Sequence, residues 1–343
     1  MKKRVSGVLM SVVMTVALAA GCGSSGSDST DSGSSSDSGE AKTEATKAGD
    51  VNGDGKIIVG YISKNIVDPF HAPINDYAKT TLDGLVADGV IDDWTGVLDG
   101  ETDAAKQIDR ADECIAKKCD YVIILPAEST ASDPALTKLV DEGIEVLVVN
   151  SKTDSTDDLA ACYSGSDDVE AGEMLAKWVI DQVPDGGKYA HCQGIIGNSA
   201  QIQRGEGIEN IMSQNDKFES VGDFPCEWAA DKAANVATDM MNKYGDELKA
   251  IICDNDDMSS AAQKVCNDAG RSDIVCVGVD GNENPIAMVE AGEMGATILQ
   301  DGVGQVDAAI EQIKKAINGD AMEKEIMVPF VLVTKENAAE YMK

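Results

Sequence analysis

The chain of 343 residues carries 61 acidic against 28 basic side chains, a formal charge of −33, with 43% apolar and 26% charged residues. That balance excludes a nucleic-acid binder, whose phosphate partners demand a basic surface, and it excludes a chain too polar to bury a core. The length exceeds one ordinary α/β core and predicts two lobes.

Lys2, Lys3 and Arg4 precede an apolar run from Val5 to Ala20, followed by small residues before Cys22. This is the pattern of a signal peptide over residues 1–21, too short to be a spanning helix. Leu18-Ala19-Ala20-Gly21-Cys22 resembles a bacterial lipoprotein signal, with Ala19 where Leu is commonest. The resemblance implies lipidation at Cys22 and a position on the outer face of the cytoplasmic membrane. From Gly23 to Gly49 the chain is almost entirely Ser, Gly, Asp, Thr, Ala, Glu and Lys, which cannot build a core, so residues 22–54 read as a flexible tether.

Eight cysteines follow Cys22. An exported chain permits disulfides, and Cys114 with Cys119 is the pair best suited to one, although pairing is not favoured. Cys192, Cys253 and Cys276 lie in apolar runs, where cysteine acts as a small hydrophobe. Asp50-Val51-Asn52-Gly53-Asp54-Gly55 resembles the start of a calcium loop, but Tyr61 stands where the acidic twelfth ligand belongs and a strand follows at once. It reads as a turn that imitates the motif. No metal and no cofactor are expected.

From Ile57 strand and helix alternate. Strand Ile57–Ile62 precedes a helix marked by Ile74, Ala78, Leu82 and Leu85, and a strand over 91–98 precedes a helix with Ile108, Ala111 and Ile115. Tyr121–Leu125, a short helix and Ile144–Val149 complete the first series. The second series runs through helix Val169–Ile180, strand Lys188–Ile196, a helix around Arg204, a strand near Phe218–Phe224 and a helix with Ala233, Val236 and Met240. Strands Ala250–Cys253, Ile274–Val279 and Ala296–Leu299 follow, then a helix on Val306, Ile310 and Ile313 and one last strand, Ile326–Val333. This alternation predicts parallel sheets covered on both faces, in two similar doubly wound α/β lobes.

Open α/β sheets bind ligands beyond the carboxyl ends of their strands. There the sequence places Asp68-Pro69-Phe70-His71, Asn150, Arg204, Trp228, Asn255, Asp280 and Gln300. Carboxylates and amides suit sugar hydroxyls, which both donate and accept, and flat rings suit the apolar C–H face of a pyranose. Each residue has a plainer alternative. Phe70 and Trp228 serve equally as core aromatics, Asn255 and Asp280 as helix caps, and Arg204 as a solvated first-turn residue. No nucleophile–histidine–acid set, zinc motif or phosphate loop is evident, so no enzyme is expected. A glycosidase built on Asp68 and Asp280 is disfavoured because Arg204 and the amides should keep both ionised. Replacing Arg204 by Ala should abolish binding and leave the ligand-free protein nearly unchanged.

Asp68-Pro69-Phe70, Gly197-Asn198-Ser199, Arg204-Gly205-Glu206-Gly207, Asp254-Asn255-Asp256-Asp257-Met258 and Val277-Gly278-Val279-Asp280-Gly281 together resemble the ribose/galactose-type periplasmic sugar-binding proteins of ABC importers. These are periplasmic binding proteins of type I, related to the ligand domain of lactose-repressor-like regulators. The similarity runs from about Lys56 to the C-terminus. It implies two lobes, 55–166 plus 301–330 and 167–300 plus 331–343, with a three-segment hinge near Ser166, Gln300–Asp301 and Phe330. It also implies that Asp68, Phe70, Asn150, Arg204, Trp228, Asn255, Asp280 and Gln300 line a sugar cleft. Leu125 stands where ribose-type members carry Asn, and Asn150-Ser151 where they carry Asp-Arg, which argues against ribose. The expected partners are a monosaccharide, a pyranose ahead of other rings, and the membrane subunits of an ABC importer, with the protein a monomer. A sensory binding protein feeding a chemoreceptor or kinase, and a binder of a non-sugar polyol, would read alike.

Overall fold

The computed structural model describes residues 47–342. The leader over 1–21, lipidation at Cys22 and most of the 22–54 tether lie outside the described residues. Residues 47–54, expected at the tether's end, are held against the first lobe. The Asp120 carboxylate accepts from the backbone of Val51, Asn52 and Ile58, and the Tyr121 hydroxyl donates to the Gly49 carbonyl. In the calcium-like turn Asp50 accepts from the amides of Gly53, Asp54 and Gly55.

The first series comprises β1 (Ile58–Ser63), α1 (His71–Ala87), β2 (Asp93–Asp99), α2 (Ala104–Ala116), β3 (Tyr121–Ile124), α3 (Asp133–Asp141), β4 (Glu145–Val149), α4 (Thr156–Leu159) and β5 (Cys162–Gly165). The second comprises α5 (Asp168–Gln182), β6 (Gly187–Gln193), α6 (Ser199–Met212), β7 (Phe218–Pro225), α7 (Ala230–Tyr244) and β8 (Leu248–Cys253). It continues with α8 (Asp256–Asp268), β9 (Val275–Val277), β10 (Val279–Asp280), α9 (Glu283–Ala291) and β11 (Ala296–Leu299). The chain then returns through α10 (Gly302–Ile317), β12 (Glu325–Met327) and β13 (Val331–Thr334).

The first lobe is a parallel six-stranded sheet ordered β12-β5-β4-β3-β1-β2. Strands β1, β3 and β5 are buried along their whole length, as strands of a parallel sheet are when helices cover both faces. The second lobe carries a parallel sheet β7-β6-β8-β9 and a short sheet β10-β11-β13. The expected single strand Ile326–Val333 is two: β12 pairs parallel with β5, whereas β13 pairs antiparallel with β11. Pro329 lies in the break, where it can donate to neither ladder. The apolar run therefore serves both lobes, and at the crossing the Ser166 hydroxyl donates to the Val328 carbonyl and accepts from the Gln305 amide.

Several helices open on an Asp or Asn that has just left a strand. Asp103 caps α2, Asp167 caps α5, Asn198 caps α6 and Asn255 caps α8. A cap of this kind typically contributes about 1 kcal/mol. It also gathers helix N-termini at the strand ends, where the lobes face each other. All eight described cysteines are buried thiols, and Cys192, Cys253 and Cys276 lie on β6, β8 and β9 as expected.

Candidate functional site

Between the lobes lies a cavity of about 500 Å³, and all eight candidate residues line it: Asp68, Phe70, Asn150, Arg204, Trp228, Asn255, Asp280 and Gln300. Phe70 stands at the mouth of α1 with its ring edge-on to His71 at 5.1 Å. Asn150 leaves β4 in a left-handed backbone (φ 68°) and donates to Gln305 of α10. Asn255 is both cap and wall, because its side-chain Oδ1 accepts from the Met258 amide while the residue lines the cavity. Asp280 is not a cap; Asn282 holds that position in α9.

Arg204 is buried at 3% exposure in the second turn of α6. Its Nε and Nη2 lie 2.9 Å from Asp168 Oδ1, Nη2 donates to Gln300 Oε1 at 3.2 Å, and Nη1 donates to the Asp254 carbonyl. Burial pushes the Asp168 carboxyl up and Arg204 pulls it back. The solvated alternative for Arg204 is excluded, and the ion pair argues that its removal would not spare the ligand-free protein. The guanidinium is the counter-ion of a buried carboxylate.

Carboxyl groups in the wall differ in state. Burial would push Asp68 up, but hydrogen bonds from His71 and the charge of Lys64 outweigh it and hold the group below the usual carboxylate range. His71 Nδ1 lies 2.8 Å from both Asp68 oxygens. Asp280 goes the other way: burial, with Asp256 behind it, pushes it well up. Asp256 is itself pushed up to about 6 by burial, although Thr297 and the amides of Gly281 and Asn282 donate to it. Arg204 pulls the Asp280 carboxyl down, as expected, but burial and Asp256 outweigh it, since the guanidinium is bonded to Asp168.

Lys64, Asn65, Ser151, Asn198 and Asp257 also line the cavity, and the candidate set omits them. Lys64 directly follows β1, so the strand-end rule that found Asp68 reaches it too. Its ammonium lies 5.2 Å from the Trp228 ring centroid and forms no ion pair among the described residues. Burial pushes its pKa down to about 8, with Asp68 opposing and Arg204 assisting. Trp228 rests on Gly194, where an added Cβ would come within 2.1–2.4 Å of three ring carbons. Only glycine permits that approach.

Beneath this wall His191 on β6 joins Asp254 (Nε2 to Oδ1, 2.8 Å) to Asp223 (Nδ1 to Oδ1, 3.1 Å). Asp254 in turn accepts from the Gly194 amide at 2.8 Å. Burial works against the imidazolium, but the two carboxylates outweigh it and raise the pKa to about 9. Because that value lies above the ordinary 6.5, the stabilisation is complete below about pH 6.5 and is lost as pH rises through about 9. The displacement corresponds to about 3 kcal/mol, reduced because Asp223 is exposed. The unfolding free energy of the wild type, minus that of His191→Gln, should fall by about 2 kcal/mol between pH 6.5 and 9.5 in urea titrations. Lys64 is common to both proteins and cancels. A difference independent of pH would contradict the assignment.

Residues 59–321 match the periplasmic binding protein domain. The chain belongs to the periplasmic binding protein family. This periplasmic binding protein is 30% identical to a candidate rhizopine-binding protein of Rhizobium meliloti over 274 residues, covering 78% of this chain and 85% of the relative. It is 25% identical to the ribose import binding protein RbsB of Escherichia coli over 287 residues, covering 83% and 93%. The Caulobacter myo-inositol binding protein bound to myo-inositol superposes with a TM-score of 0.74 at 25% identity, covering 83% of this chain and 95% of that one. At the level of the family these are sugar-binding solute-binding proteins associated with ABC transporters, and the relatives are substrate-binding proteins rather than enzymes. The family's two-lobed α/β architecture is the one described here.

Proposed function

We propose that the cleft captures one neutral polyhydroxylated ring, a pyranose monosaccharide ahead of a cyclitol of similar size, and presents it to the membrane subunits of an ABC importer. In this proposal Asp68, Phe70, Asn150, Arg204, Trp228, Asn255, Asp280 and Gln300 contact the ligand, and Cys22 carries the anchor that keeps the protein at the outer face of the cytoplasmic membrane. One observation carries the reading. Three buried polar atoms in the cavity wall, Trp228 Nε1, Gln300 Nε2 and His71 Nε2, have no hydrogen-bond partner in the protein. Such groups are rarely left unmatched, since each costs about 1–3 kcal/mol. They come from both lobes, so a single ligand satisfying them stabilises the closed arrangement.

Neutrality follows from the charges. The Arg204 guanidinium is matched by Asp168, and Lys64 is balanced by Asp68, while Asp257 and Asp280 form no ion pair among the described residues. Nothing in the wall favours a carboxylate or phosphate on the ligand. Hydroxyls can accept from Lys64, Trp228 and Gln300 and donate to Asp68 and Asp257. Leu125 and Asn150-Ser151 continue to argue against ribose.

Lys64 offers a test. As a buried ammonium whose pKa burial already lowers, and which forms no close ion pair among the described residues, it destabilises the ligand-free fold, but in the complex it donates charge-assisted hydrogen bonds. Lys64→Met should raise the ligand-free melting temperature by about 3 °C or more and weaken ligand binding about tenfold or more. Thermal-shift measurements over a panel of sugars and polyols read both effects. Wild-type affinity in Lys64→Met would remove Lys64 from the site.

A further inference from the structure

We infer that Asn198 is the latch that holds the two lobes closed and so sets how long a ligand is retained. Asn198 is fully buried where the loop after β6 turns into α6. Its side-chain Oδ1 accepts from the Ala200 amide at 3.0 Å, within its own lobe. Its side-chain nitrogen donates to the Ala127 carbonyl at 2.8 Å and to the Ser151 hydroxyl at 3.2 Å, both on loops of the first lobe.

The neighbouring residues complete the seam. The Ser129 amide donates to the Gly197 carbonyl at 2.9 Å, and the Lys152 amide donates to the Ser199 hydroxyl at 2.8 Å. Four inter-lobe hydrogen bonds therefore converge on three consecutive residues of the second lobe. On the other rim, grooves separate Pro69, Phe70 and Pro73 from Gly281, Asn282 and Tyr341, and no hydrogen bond joins these two groups among the described residues. Closure is fastened along one edge. Opening the lobes removes both protein acceptors from one Asn198 amide, so this residue resists opening more than any other in the seam. It acts on the ligand through lobe position, and Arg204, in the second turn of α6, moves with it.

Asn198→Asp and Asn198→Ser separate the latch from the cap, since Asp and Ser both cap helices but neither presents an amide donor to Ala127. Hydrogen exchange of the full, ligand-free chain is the test. Both variants should exchange faster than wild type over 127–132 and 150–153, where the Ser129 and Lys152 amides cross the seam, with protection over 199–212 unchanged. Ligand dissociation should accelerate about tenfold. This second arm rests on the proposed cleft, whereas the exchange arm does not. Faster seam exchange in a protein that binds no sugar or polyol would uphold the latch and refute the cleft. Unchanged exchange at the seam in both variants would overturn the latch.

Discussion

Arg204→Ala is expected to lower the stability of the ligand-free protein by about 3–5 kcal/mol, besides abolishing ligand binding. The loss follows from what remains. Asp168 at the start of α5 is 2% exposed and, among the described residues, forms an ion pair with Arg204 alone. Without the guanidinium its carboxylate is a buried unpaired charge, and the Asp254 carbonyl and Gln300 amide oxygen lose a donor. The variant should recover part of its deficit at low pH, where Asp168 takes up a proton that burial already favours. Replacing both residues, Arg204→Met with Asp168→Leu, should be much less destabilised than Arg204→Ala, because an apolar pair of similar bulk carries no desolvation penalty. A two-residue cycle in urea measures the coupling. A ligand-free Arg204→Ala protein as stable as wild type would show that the ion pair does not form in solution.

The second large effect is expected at Gly207 and, by contrast, not at Gly205. Helices α5 and α6 cross in close contact. A Cβ at Gly207 would lie 2.1 Å from the Val169 carbonyl oxygen and 2.9 Å from the Gly172 Cα, and a Cβ at Gly172 would lie 2.1 Å from the Arg204 carbonyl oxygen. These obstacles are backbone, so no side chain can swing aside; the helices must part. Gly207→Ala should destabilise by about 3 kcal/mol and weaken ligand binding, since the separation pulls Arg204 from Asp168. At Gly205 the nearest atom to an added Cβ is His191 Cε1, at an ordinary 3.7 Å. Gly205→Ala should be neutral or stabilising by up to about 1 kcal/mol through helix propensity. Equal effects at the two positions would refute the crossing geometry.

These two glycines show where the sequence is legible. Arg204-Gly205-Glu206-Gly207 is readable as a motif, but which glycine is obligatory depends on Val169 and Gly172, which lie more than thirty positions away. The strand ends are legible because β-branched runs stop abruptly and polar residues follow, a local signal that places Asp68, Asn150, Asn255 and Asp280 beside one cavity. Partnership is not local. Nothing near Arg204 names Asp168, and nothing near Asp280 announces Asp256 behind it, so neither the partner of the first nor the upward shift of the second could be read from the sequence. Lys64 escaped because a lysine after a strand ordinarily reads as solvated, whereas here Trp228 from the other lobe covers it. Ile326–Val333 reads as one strand because periodicity carries no information about which sheet each half joins.

The account depends on one cleft that takes a neutral ring. Calorimetric titration of the full chain, with neutral pyranoses and cyclitols alongside uronic acids and sugar phosphates, tests it most directly. At least one neutral ring should bind with one-to-one stoichiometry and a Kd of about 10 μM or tighter, and the charged sugars should bind far more weakly. Preferential binding of the acids or phosphates, or a neutral ligand held equally well by Trp228→Ala and Gln300→Ala, would contradict it.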